Sequence, residues 1–191
     1  MQLQFGIDQP DSGLLLDSMV VGPDARLCAA ELLSPRVEAE IAFRLAEDLA
    51  GEVTEEEVGQ AVAETFLALE VIDSRYGLEG LTLMDSVADN AACARISLGA
   101  PVPGLLTALG EEHLTLSVNG TSAASGFGKA ILGDPIRSLL WLTRRLSSFG
   151  AGLRAGDVVL AGAVHASLPL HAGQTLSVSS HHLPEAVLHV T

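Results

Sequence analysis

The clearest pattern in the chain lies between residues 36 and 46, where apolar and polar positions alternate. Val37, Ala39, Ile41, Phe43 and Leu45 fall on one face, with Glu38, Glu40, Ala42 and Arg44 on the other. Period two predicts a β-strand. From Thr54 the period changes. Thr54-Glu55-Glu56-Glu57 has the form of a capping box, and Val58, Val62, Phe66 and Leu69 follow at helical spacing. A helix over 54–69 is predicted, turning at Glu70-Val71-Ile72-Asp73, where a β-branched pair marks extended chain.

Further along, 85–94 suits a helix and 95–98 a short strand. Residues 113–118 alternate as a strand, and Asn119-Gly120 is a strong hairpin signal. Ser125-Gly126-Phe127-Gly128-Lys129 reads as a glycine-rich loop. Asp134 caps a helix from Pro135 to about Phe149, stopped by Gly150. The remainder reads as short strands with turns at 155–157, 172–174 and 183–185. Near the start, Asp8-Gln9-Pro10-Asp11-Ser12-Gly13 predicts a turn leading into a strand through Leu14-Leu15-Leu16. No repeat or linker interrupts the pattern. The expectation is one α+β domain over 1–191, rich in strands, with two clear helices.

Composition narrows the function classes. The 191 residues are 48% hydrophobic and 18% charged, a globular balance. A net charge of −14 repels phosphate backbones and anionic lipid, so nucleic acid and membrane surfaces are not expected partners. Lys129 is the only lysine. Cys28 and Cys93 form no CxxC and no zinc spacing, and are expected as buried thiols. Neither a signal peptide nor a membrane-length apolar run is seen, so a soluble, cytoplasmic protein is expected.

Candidate chemistry starts with Glu38 and Glu40. Side chains at i and i+2 of a strand point the same way, about 6.5–7 Å apart at the backbone, so two carboxylates can converge on one ion. Oxygen ligands suit magnesium, manganese or calcium. A solvated polar face is the alternative that spacing leaves open. His165, His171, His181 and His182 are read as surface residues rather than a second metal site.

Ser34-Pro35-Arg36-Val37-Glu38-Ala39-Glu40-Ile41-Ala42-Phe43 resembles the metal-binding strand of the fumarylacetoacetate hydrolase superfamily. Within it, the chain is most similar to the branch of 2-hydroxypentadienoate (2-oxopent-4-enoate) hydratases and 4-oxalocrotonate decarboxylases. Further matches follow in order. Ala68-Leu69-Glu70-Val71-Ile72-Asp73-Ser74-Arg75 resembles the segment of the third ligand, and Asp85-Ser86-Val87-Ala88-Asp89-Asn90 the aspartate-asparagine stretch. Ser125-Gly126 through Leu132-Gly133-Asp134-Pro135 resembles the glycine-rich loop and helix start. Residues 154–163 resemble the late strand, and Asp11 falls in a segment like the active-site aspartate's.

The resemblance implies a mixed β-roll or sandwich with flanking helices. It implies Mg2+ or Mn2+ held by Glu38, Glu40 and Glu70, chelating a small 2-oxo acid and stabilising its enolate. Asp11 is the implied acid–base residue, and Asp89, Ser125 and Gly126 are implied substrate contacts. A hydratase or decarboxylase is expected. The alternatives are a tautomerase, cyclase or C–C hydrolase, and a non-catalytic subunit beside a longer homologue. A homo-oligomer is expected, or a hetero-complex with such a homologue. The family's N-terminal region carries a lysine that this chain lacks. A natural short relative starting at Met1 is expected rather than a fragment. Lys129 is the candidate to supply the missing cation, with a surface lysine as the alternative.

Overall fold

The computed structural model describes residues 10–22, 25–77, 80–105 and 107–191. The first nine residues, and with them Asp8 and Gln9, lie outside that set. Two long strands form the centre. The alternating segment is β2 (Arg36–Leu45), following the two-residue β1 (Arg26–Leu27). It pairs antiparallel over its whole length with β3 (Val62–Ile72). On the far side of β3 runs β4 (Cys93–Leu98), with the short β5 (Val102–Pro103) also on β3.

A second sheet begins with the hairpin β6 (His113–Val118) and β7 (Thr121–Phe127). Its turn, Asn119-Gly120, has φ of 50° and 76°, the left-handed pair a tight two-residue hairpin needs. After the helix at Pro135–Ser147 comes β8 (Val158–Ala163), which returns to the first sheet beside β2, as does β9 (Leu168–Pro169). The chain ends with β10 (Thr175–Ser179) and β11 (Ala186–Val190) in the second sheet, ordered β1-β11-β10-β6-β7. The helices are α1 (Glu55–Gln60), α2 (Leu83–Ala88) and α3 (Pro135–Ser147). An antiparallel sheet and a mixed sheet with few helices fit the expected α+β class. None of the described helices is long and apolar enough to cross a membrane.

The odd-numbered face of β2 explains how the sheets meet. Val37, Ala39, Ile41, Phe43 and Leu45 share one core with Leu67, Leu69 and Val71 of β3 and with Leu114, Leu116, Leu176, Val178 and Leu188 of the second sheet. The opposite face of the first sheet carries a smaller cluster, Ala42, Phe66 and Ala68, followed along the strands by the glutamates. Both faces of the central strands are buried.

That double burial corrects the helix predicted over 54–69. The capping box is real: the Thr54 hydroxyl accepts from Glu57 N and the Glu57 carboxylate accepts from Thr54 N. The helix stops at Gln60. Beyond it the chain pairs with β2, and Val62, Phe66 and Leu69 belong to a strand. Two further expectations are corrected. Ser125, Gly126 and Phe127 lie in β7, and only 128–130 leave it, as a 3-10 turn. Leu14 and Leu16 are exposed in irregular chain before a 3-10 turn at Asp17–Met19, because no neighbouring strand pairs with them. Cys93 is buried, as expected, and Cys28 is half-buried.

Between α2 and β4 the backbone is strained. Asn90, Ala91 and Ala92 have φ of 59°, 55° and 58°. Left-handed conformation costs a non-glycine residue about 1–2 kcal/mol, and glycine escapes that cost. Ala91→Gly is therefore expected to stabilise the protein by about 1 kcal/mol, seen as a higher melting temperature.

Candidate metal centre

Residues opposite one another in an antiparallel pair share a face. Glu38 of β2 lies opposite Glu70 of β3. Glu40 is two positions along on that same face. The result is a cluster in which a carboxylate oxygen from each of Glu38, Glu40 and Glu70 lies within 4.8 Å of the others. All three are buried, at 0%, 1% and 7% exposure, which overturns the solvated-face alternative. Glu70 does not sit at a helix end where the chain turns. It is a mid-sheet residue, aimed by register.

The carboxylates are held unequally. Glu40 accepts from the backbone N–H of Gly162 at 2.8 Å. The buried Cys93 thiol acts to lower Glu70. Among the described residues, neither buried Glu38 oxygen has a hydrogen-bond partner. Burial, then the Glu40 charge, pushes the Glu38 carboxyl up to about 8. Burial and the Glu38 charge push Glu70 up to about 7, against the lowering influence of Cys93 and Glu40. Burial and Glu70 lift Glu40 well above the carboxylate range. Three buried acids crowded together, one unpartnered among the described residues, leave negative charge that a cation would compensate. A divalent cation fits, since it would complete the oxygens of Glu38.

Asp11 adds to this field, its charge acting to raise both Glu38 and Glu70. It is half-buried and accepts a hydrogen bond from the Ser86 hydroxyl on α2. Asn90 fixes the same segment by accepting from Leu14 N at 2.6 Å and donating to Leu14 O at 2.9 Å.

Asp89 faces inward. Its carboxylate accepts from the Ser74 hydroxyl and from Arg75 N, each at 2.9 Å, and pairs with the Arg75 guanidinium. Burial acts to raise it, but the Arg75 and Ser74 hydrogen bonds outweigh burial and hold it below the ordinary range. It ties the turn after β3 to the end of α2. Asp73 works similarly, accepting from Leu33 N at 2.8 Å and Ser34 N at 2.7 Å just before β2.

Ser125 is exposed on β7. Gly126 packs so closely that a Cβ there would stand 2.1 Å from the Val164 carbonyl oxygen. Val164 N in turn donates to Ala39 O between the two β2 glutamates. Gly126→Ala must displace that backbone, and overpacking of this kind costs on the order of 1–3 kcal/mol. A lower melting temperature is expected even without substrate, an effect that a pure substrate contact would not produce.

Lys129 is exposed, 3.4 Å from Glu111 and 5.0 Å from the Phe127 ring centroid. Its recorded partners do not include the three glutamates. Among the histidines, His182 pairs its Nδ1 with buried Glu112 at 2.7 Å. Among the described residues no second cluster has metal-ligand spacing.

Sequence reasoning missed Gly162, Arg75 and Ser86 as the partners of Glu40, Asp89 and Asp11. Each reaches its partner across the fold, and no local spacing carries that information.

A fumarylacetoacetate hydrolase C-terminal model matches residues 7–191. The chain belongs to that family. A 2-keto-4-pentenoate hydratase of Burkholderia vietnamiensis (strain G4 / LMG 22486) is 40% identical over 177 residues, 92% of this chain and 68% of that protein. A 2-hydroxyhexa-2,4-dienoate hydratase of Comamonas testosteroni is 38% identical, covering 91% of this chain and 67% of that protein. The 4-oxalocrotonate decarboxylase from Pseudomonas putida G7, solved with magnesium and adipate, superposes with a TM-score of 0.93 at 27% identity. That alignment covers 100% of this chain and 73% of that one. The expected fold is thus observed, and the chain spans about two thirds of the curated relatives' length.

Proposed function

We propose that this family member is a divalent-metal-dependent lyase, a hydratase or decarboxylase, acting on a 2-oxo or 2-hydroxydienoate acid. The observation that carries the reading is the buried Glu38–Glu40–Glu70 cluster with its unpartnered Glu38 oxygens. The hydratase names of the similar proteins and the decarboxylase solved with magnesium support it. Glu38, Glu40 and Glu70 would hold Mg2+ or Mn2+, which supplies a Lewis acid for charge developing on a 2-oxo group.

The remaining chemistry belongs to the chain's own side chains. Asp11, half-buried and restrained by Ser86, is the group that takes up and returns the proton at substrate carbon. Burial of the cluster excludes water and sharpens electrostatic contacts. Ser125 and Gly126 contribute the β7 edge of the substrate space, and Asp89 acts through Arg75 and the turn it fixes. Lys129 keeps a proposed role as cation; unchanged turnover in Lys129→Ala would remove it. Assembly as a homo-oligomer, or with a longer homologue, would cover exposed Leu14, Leu16, Met84 and Val87.

Titration with Mg2+ or Mn2+ is expected to raise the melting temperature, since a ligand at one hundred times its Kd adds about 2.7 kcal/mol. Ultraviolet assays with 2-hydroxypentadienoate and 4-oxalocrotonate then separate hydration from decarboxylation. Absence of both metal stabilisation and turnover overturns the reading and leaves the non-catalytic subunit.

A further inference from the structure

We propose that Arg36 binds the carboxylate of the 2-oxo acid, supplying from β2 the positive charge that an anionic substrate needs beside three glutamates. The inference rests on the metal and substrate reading above and assigns a residue which that reading left without a role. Side chains two apart on a strand share a face. Arg36 therefore stands on the face of Glu38 and Glu40, about 6.5–7 Å from Glu38 at the backbone. It pairs with Ile72 of β3 on one side and with Pro169 of β9 on the other.

The loop after β8 aims the guanidinium. The pairing along β2 passes from Ala163, opposite Glu40, to Leu168, opposite Val37, so residues 164–167 lie beside the strand at the level of Glu38. One further step of the β9 register sets Ser167 beside Glu38. Arg36 reaches to this buried residue. Its Nε donates to the Ser167 hydroxyl at 2.7 Å, and its Nη2 donates to the Ser167 carbonyl oxygen. The side chain is thus drawn back along β2 towards Glu38, and its charge acts to lower that carboxyl.

Part of the fork is left over. Among the described residues, Nη1 has no recorded hydrogen bond, and Arg36 enters no ion pair. Arginine keeps its charge across the working pH range, and its planar N–H groups match a carboxylate. Arg36 also lines a cleft of about 320 Å3 with Ser34, Pro35, Pro169, Leu170 and His171, which gives a small anion a way in. Lys129, by contrast, has exposed Glu111 and Phe127 as its recorded partners. A 2-oxo acid brings a carboxylate into a site that already holds three, and Arg36 offsets that repulsion from the same face.

The test titrates pyruvate, the simplest 2-oxo acid, into the Mn2+-loaded full chain by calorimetry. The Mn2+ dissociation constant is measured separately by electron paramagnetic resonance. Wild type is compared with Arg36→Met, Arg36→Lys and Lys129→Met. Loss of a hydrogen-bonded charge pair from a binding site corresponds to about 10–100-fold in affinity. Arg36→Met is expected to bind pyruvate that much more weakly. It should bind Mn2+ as tightly as wild type or tighter, because a positive charge has left the metal site. Arg36→Lys, a point charge without the fork, should fall between the two. Wild-type pyruvate affinity in Arg36→Met overturns the proposal. So does joint loss of Mn2+ and pyruvate, which marks a structural role, and so does a loss confined to Lys129→Met. Should Arg36→Met not fold, phenylglyoxal modification of wild type, mapped by mass spectrometry, decides the matter. Pyruvate with Mn2+ should protect Arg36, and an unchanged rate overturns the proposal. Wild type that binds Mn2+ but not pyruvate overturns it as well, whereas failure to bind Mn2+ would overturn the metal reading and this proposal with it.

Discussion

Glu38→Gln is expected to stabilise the metal-free protein and to abolish its response to Mg2+ or Mn2+. Glu38 is fully buried, its oxygens have no hydrogen-bond partner among the described residues, and its neighbours include two more carboxylates. Its carboxyl is pushed up to about 8 by burial and by Glu40. Ionising it in the folded protein near neutral pH is therefore costly. Each unit of such a shift corresponds to about 1.4 kcal/mol, so removing the charge gains on the order of a few kcal/mol at pH 8. Glutamine keeps the volume and brings N–H donors towards Glu40 and Glu70. The same change deletes one of three ligands. The metal-induced rise in melting temperature should disappear, and turnover should fall by orders of magnitude.

The sign makes the result decisive. Most single substitutions destabilise, typically by about 0.5–3 kcal/mol. A buried carboxylate with a full set of bonds behaves in that ordinary way: Asp89 is held below its usual range by Arg75 and Ser74. Glu38 is the opposite case, a buried acid raised and unpaired. A variant more stable than wild type without metal, and insensitive to metal, means that binding capacity is maintained against stability. Calorimetry of both proteins with and without Mn2+ checks it. A Glu38→Gln protein that is still stabilised by metal as wild type is would sink the reading.

How much of this was legible depended on what each face of each strand meets. β2 could be read because its apolar face enters the main core while its other face carries Glu38, Glu40 and Arg44. β3 could not, because Leu67, Leu69 and Val71 enter one cluster while Phe66 and Ala68 enter another. With both faces apolar, period two vanishes and Val62, Phe66 and Leu69 mimic a helix that Thr54 had correctly begun. Turn signals survived, since Asn119-Gly120 and Asp134-Pro135 act locally. Glu38 and Glu40 were visible as a pair from spacing. Glu70 came only from family resemblance, because its place follows from a pairing between strands far apart in sequence. Cys93 was legible only as a buried thiol. Its place beside β3 follows from the register of β4 and from a strained turn of residues that carry no glycine.

The same electrostatics predict how stability changes with pH: the metal-free protein weakens over an interval in which the metal's own contribution grows. In the metal-free protein Glu38 and Glu70 are raised to about 8 and about 7 from an unfolded value of 4.5. The folded state then binds more protons than the unfolded state between these limits. Their contribution is fully present below pH 4.5 and is lost as pH rises through 7 and 8. Asp89 and Glu112 act in the other direction. Hydrogen bonds outweigh burial and hold both below their ordinary values, so their contribution is present above those values and lost in acid. The metal-free melting temperature should therefore peak near about pH 5 and fall towards pH 8. Metal binding requires ionised ligands and competes with protons, so the stabilisation by Mn2+ should grow over the interval where the metal-free protein weakens. Melting curves across pH with excess chelator and with excess Mn2+ measure both slopes. A flat metal-free profile, or a metal effect equal at both ends, would show that the three carboxylates are not crowded and buried together in solution. Glu38→Gln should flatten the metal-free profile, because the acid with no partner would no longer be there to titrate.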